Sequence, residues 1–132
     1  MRTRNVCIAL ALISVGACGG SGGSGGSTGP NNQPTGNTTP PSGGIAVTNN
    51  NFSPSAKTVA VGTAVQWAWN TCSGDSYTGT NTCVGHSVTF DDGVSSPTQD
   101  QGTYNRTFNV AGTYNYHCTV HGAAMTGTIT VQ

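Results

Sequence analysis

The segment Cys118-Thr119-Val120-His121-Gly122-Ala123-Ala124-Met125 carries a thiol, an imidazole and a thioether within eight residues. Thr113 to Cys118 before it reads as a strand, and Gly127 to Val131 after it reads as another, so the donors sit on a loop between strands. In a strand ending at Cys118, the side chains of Tyr114, Tyr116 and Cys118 point to one face while Asn115 and His117 point to the other. His117 is therefore a poor ligand candidate. Gly122, Ala123 and Ala124 are small enough to let the loop wrap an ion and return through Met125. With His86 available upstream, the donor set becomes two imidazoles, a thiolate and a thioether. Soft sulfur holds Cu(I), imidazole suits both oxidation states, and carboxylates that favour hard ions are missing from the segment. The combination fits copper and one-electron chemistry.

Outward from this loop, the 88 or so residues of 45–132 read as one all-β domain. Alternating or β-branched runs occur at Ile45–Thr48, Thr58–Val61, Ala64–Trp69, Ser87–Phe90, Tyr104–Val110, Thr113–Cys118 and Gly127–Val131, punctuated by Gly62, Gly74, Gly79, Gly93 and Gly112. A 3.6-residue apolar period long enough for a helix is absent. About seven to eight short strands in a domain of this size predict a Greek-key β-sandwich or barrel. Val65, Trp67 and Trp69 share one strand face and read as core.

The first third of the chain has a different composition. Arg2 and Arg4 precede an apolar run, Val6 to Ala17, which is too short to span a bilayer and ends in small residues; 1–17 reads as a signal peptide. Val15-Gly16-Ala17-Cys18 resembles a bacterial lipobox, which implies that Cys18 is acylated and begins the mature protein. Residues 18–44 then form a Gly/Ser/Pro/Asn linker without an aliphatic side chain, expected to stay disordered with a reach of about 28 Å. The expectation is an exported, membrane-anchored lipoprotein facing the periplasm or the cell surface. Beyond the leader, only Lys57 and Arg106 are basic, against Asp75, Asp91, Asp92 and Asp100. So few cations exclude nucleic acid, which requires clustered Lys and Arg to displace phosphate counterions.

The domain resembles the cupredoxins, of the plastocyanin and amicyanin type. The similarity runs through Phe52-Ser53-Pro54, Val59-Ala60-Val61-Gly62-Thr63-Ala64-Val65-Gln66-Trp67, Gly85-His86-Ser87-Val88-Thr89-Phe90, Ala111-Gly112-Thr113-Tyr114 and the ligand loop. The resemblance implies one copper ion with His86, Cys118 and His121 as equatorial ligands and Met125 as the axial one. It also implies that the Ser87 backbone N–H donates to the cysteine sulfur. The implied activity is that of a monomeric blue (type 1) copper electron carrier and not of an enzyme. His121, Gly122, Ala123 and Ala124 would form its docking patch, and a c-type cytochrome or membrane oxidoreductase its redox partner. Two features depart from the pattern. Three residues separate His121 from Met125, where two or four are usual. Cys72 and Cys83 also lie in an insert, and in an exported domain they should form a disulfide that closes a loop of about 12 residues and contributes about 3 kcal/mol.

Two other classes use the same residues differently. A copper carrier or storage protein would share the ligands but keep an open, exchangeable site. A metal-free immunoglobulin-like interaction domain would use Tyr116-His117-Cys118 as its Tyr-x-Cys, although Trp67 and Trp69 precede Cys72 where that fold has its Trp after the first cysteine. The cysteine pairing separates the readings: Cys72 with Cys118 favours the metal-free sandwich, whereas Cys72 with Cys83 leaves Cys118 for copper.

Overall fold

The computed structural model describes residues 36–132. The signal peptide, Cys18 and the linker as far as residue 35 lie outside the described residues. Ten strands follow: β1 (Ile45–Thr48), β2 (Asn51–Ser53), β3 (Ala56–Val59), β4 (Thr63–Asn70), β5 (Cys72–Gly74), β6 (Asn81–Cys83), β7 (Thr89–Phe90), β8 (Thr103–Phe108), β9 (Gly112–Cys118) and β10 (Gly122–Val131). Eight of them form two four-stranded sheets, ordered β2-β1-β4-β8 and β3-β10-β9-β7, and β5 with β6 forms a separate hairpin. The expected all-β sandwich is present.

The β-branched and aromatic strands form because each buries alternate side chains against the facing sheet. Val65, Trp67 and Trp69 of β4 meet Phe90, Tyr116, Ile129 and Val131 of the second sheet in one buried cluster. Trp67 lies at its centre, edge-on to Phe90 at 5.7 Å and to Tyr116 at 5.5 Å between ring centroids. A Cβ on Gly127 would stand 2.2 Å from the Tyr116 ring, so only glycine lets β10 pass this phenol.

Sequence reading missed β2, β5 and β6 for a physical reason. β2 has a single buried residue, Phe52, and the two hairpin strands are polar, tied by the Cys72–Cys83 disulfide instead of an apolar face. β7 is shorter than expected because Ser87 and Val88 direct their N–H groups to the Cys118 sulfur and the Ser96 hydroxyl.

The end of the linker is also corrected. Residues 37 and 38, expected to be disordered, are bound to the domain: Thr38 N–H donates to the Trp69 carbonyl at 2.6 Å, and Asn37 exchanges two hydrogen bonds with Cys72. Hydrogen bonding to the end of a sheet, which an argument from apolar burial ignores, fixes this segment.

Candidate metal centre

β9 ends at Cys118, and the tight turn after it reverses the chain. His121 N–H donates to the Cys118 carbonyl and Ala124 N–H to the His121 carbonyl, each at 3.2 Å. Gly122 has a positive φ of 53°, a backbone conformation suited to glycine at this bend. Gly122 then pairs with Cys118, and the next ladder pair is Thr126 with His117. Ala123, Ala124 and Met125 therefore occupy a bulge opposite the end of β9, and Met125 is 1 % exposed within the core cluster. The unusual three-residue spacing between His121 and Met125 is accommodated by this bulge.

His86 reaches the same place from a different part of the chain. It makes a single bridge to Gln99, its N–H donating at 2.9 Å and its carbonyl accepting at 3.0 Å, while the Trp69 indole N–H donates to the same carbonyl at 3.0 Å. Its Nδ1 lies 3.7 Å from Cys118 Sγ, and His121 Nδ1 lies 3.6 Å from the same sulfur. The two rings are stacked with centroids 4.8 Å apart. The three donor atoms fall within 4.8 Å of one another.

These separations test whether an ion fits. Bonds of about 2.3 Å to sulfur and about 2.0 Å to nitrogen, as in comparable zinc sites, place the two donors about 3.6 Å apart at tetrahedral to trigonal angles. Both observed S···N distances match. Cys118 is a free, buried thiol, and the disulfide joins Cys72 to Cys83. The pairing required by the metal-free immunoglobulin-like reading is not formed.

A model of copper-binding proteins of the plastocyanin/azurin family matches residues 43–132. The chain belongs to that family. Among solved structures, a purple cupredoxin from Nitrosopumilus maritimus is similar at a TM-score of 0.55 and 22 % identity, over 67 % of this chain and 98 % of that one. An oxidised amicyanin with its methionine replaced by leucine is similar at 0.54 and 25 % identity, over 67 % of this chain and 80 % of that one. A Cu(I) amicyanin with methionine replaced by glutamine gives 0.52 and 26 %, over 70 % and 85 %. No curated protein sequence matches the chain.

Around the candidate ligands of this cupredoxin, burial and hydrogen bonding bear on charge and orientation. His86 is fully buried, and desolvation, with the neighbouring His121 as a smaller cause, lowers its pKa, which favours the neutral imidazole that a metal requires. Its Nε2 faces Asn49 Oδ1 at 3.4 Å, which leaves Nδ1 aimed at the sulfur. The Ser87 N–H points at Cys118 Sγ at 3.4 Å, in the geometry the resemblance implied. The Ser87 hydroxyl does more than expected: Thr119 N–H donates to it at 3.0 Å, and the Thr119 hydroxyl lies 2.9 Å away. The segment carrying His86 is thereby tied to the ligand loop.

Asn49, Gln99, Thr119 and the bond from Trp69 to His86 escaped the sequence reading because each is a contact between residues 13 to 37 positions apart, in a register that sequence does not display. His117 lies on the outer face, 3.8 Å from Asp91, as its place in the strand predicted. His121 is half-buried, and Gly122, Ala123 and Ala124 beside it are exposed.

Proposed function

We propose that this cupredoxin is a blue (type 1) copper electron carrier in which His86, Cys118 and His121 are the equatorial ligands and Met125 the axial one. The observation that carries the reading is the convergence of His86 Nδ1 and His121 Nδ1 on one buried, unpaired thiol. Copper bound there supplies the one-electron couple. The chain supplies rigidity: the β9 ladder, the Ser87–Thr119 link and the bulge at Met125 hold the donors in one arrangement for both oxidation states, which keeps reorganisation small. The Ser87 N–H reduces the negative charge on the thiolate.

Electrons enter and leave at His121, whose ring edge is the ligand group nearest solvent. The exposed Gly122, Ala123 and Ala124 form a small, uncharged docking patch of the kind that supports brief redox encounters. The burial of His86, Cys118 and Met125 favours a carrier of electrons over a carrier of copper, since release of the ion would require the core to open. Voltammetry of the copper-loaded protein, together with a Cu(I) chelator challenge, tests this. Reversible one-electron waves and slow copper loss are expected. Copper lost to the chelator within seconds would instead identify a copper carrier.

The partner is a c-type cytochrome or membrane oxidoreductase, and the protein is an exported monomer held at the membrane by acylated Cys18. The leader composition and the lipobox-like Val15-Gly16-Ala17-Cys18 support this placement. Cys18→Ser should move the protein from the membrane fraction to the soluble fraction; membrane association that persists refutes lipidation.

A further inference from the structure

His86 differs from the other ligands in how it is held. Cys118 ends a seven-residue strand paired with β10, whereas His86 lies outside the named strands, and its position depends on neighbouring segments. Its own segment, residues 83–86, lies against residues 69–72 and 99–102, and the three are bonded to one another. Trp69 N–H donates to the Gly102 carbonyl at 3.0 Å, the Thr71 hydroxyl donates to the Asp100 carbonyl at 2.8 Å, and Val84 N–H donates to the Thr71 carbonyl at 3.4 Å.

Asn37 and Thr38, which precede the stretch matched by the family, bind two of these segments. The Asn37 carboxamide spans Cys72 as a strand neighbour would: Cys72 N–H donates to Oδ1 at 2.8 Å, and Nδ2 donates to the Cys72 carbonyl at 3.0 Å. Thr38 N–H donates to the Trp69 carbonyl, and its hydroxyl oxygen accepts the Gly102 N–H at 3.2 Å. Both grips lead to the ligand. Trp69 donates its indole N–H to the His86 carbonyl, and Cys72 is joined through the disulfide to Cys83, three residues before His86.

We propose that Asn37 is a positioning residue for the metal centre. It clamps Cys72 at the start of the disulfide hairpin, beside the hold of Thr38 on the end of β4, and so fixes where the His86 ring stands relative to the Cys118 sulfur. This inference rests on the assignment of His86 as a ligand. A ligand on irregular backbone is only as well placed as the groups behind it, and loss of such support typically weakens metal retention by about tenfold or more.

The test uses the full chain with Asn37→Ala and Asn37→Asp. In the metal-free protein, the His86 and Gln99 amides of Asn37→Ala should lose about tenfold of their protection against hydrogen exchange, while the β9–β10 ladder stays protected. Asn37→Asp retains the acceptor for Cys72 N–H and should recover part of the loss. In the copper-loaded protein, Asn37→Ala should change the Cu(II) hyperfine splitting and release Cu(I) to a chelator about tenfold faster. A lower melting temperature with His86 protection and the hyperfine splitting unchanged would overturn the proposal, because Asn37 would then support only the fold. Wild-type protein without an intense copper–thiolate band would refute the electron-carrier reading, and hydrogen exchange at His86 would still decide the role of Asn37.

Discussion

Cys118 shows how much one residue depends on the register of its strand. Its parity with Tyr114 and Tyr116 turns the thiol inward, and the same parity turns His117 out towards Asp91. Met125, within the bulge, is the proposed axial ligand. Met125→Leu should keep the copper–thiolate colour and raise the reduction potential, because a weak electron donor to the ion is lost; an unmoved potential in voltammetry would exclude Met125 as the axial ligand. Tyr116 makes a different point. Its phenol is buried without a hydrogen-bonded partner, and desolvation pushes its pKa up to about 12, with the nearby Trp67 side chain opposing only in part. Because the hydroxyl is already unsatisfied, Tyr116→Phe should change stability by less than about 1 kcal/mol in urea titration. A loss of about 3 kcal/mol would mean that the hydroxyl is bonded after all.

Among the elements, the open side between β7 and β8 depends on Arg106. Its guanidinium lies 4.1 Å above the centre of the Phe90 ring, 4.9 Å from Phe108 and 5.2 Å from Tyr114, and it pairs through both terminal nitrogens with Asp92. One cation thus lies over aromatic rings contributed by both sheets. Arg106→Ala should cost about 2 kcal/mol, most of it from packing rather than from the exposed ion pair. The hydrogen bond from Arg106 is the main cause holding the Asp92 pKa below its ordinary value, so the pair adds stability above the unfolded pKa of about 4 and loses it as pH falls through the lower folded value. The stability difference between wild type and Asp92→Asn should therefore shrink on acidification below about pH 4; a difference independent of pH would show that the charge contributes nothing. Strand periodicity revealed β1, β4, β8 and β9 to within two or three residues. It could not reveal β5 and β6, which a disulfide and turn hydrogen bonds hold in place of an alternating apolar face.

At the scale of the whole molecule, the candidate donors were legible because copper requires scarce residue types, and three of them, His86, Cys118 and His121, converge in the fold. Three of the four donors fall in one short segment, and only three histidines exist to choose among. What stayed hidden was the scaffold around them: Asn49 behind His86, the Ser87 hydroxyl on Thr119, and the clamp formed by Asn37 and Thr38. Polar side chains outside the apolar pattern carry no periodicity, so their contacts emerge only when the chain is folded. All of these parts serve a single arrangement, in which the Cys118 sulfur lies within 3.7 Å of an imidazole nitrogen of both His86 and His121, as a copper site would require. The most direct measurement is the absorption and electron paramagnetic resonance spectrum of the Cu(II)-loaded protein beside Cys118→Ser. An intense visible thiolate-to-copper band with a narrow hyperfine splitting is expected in the wild type, both lost in the variant. A colourless copper complex, or a spectrum that Cys118→Ser leaves unchanged, would contradict it.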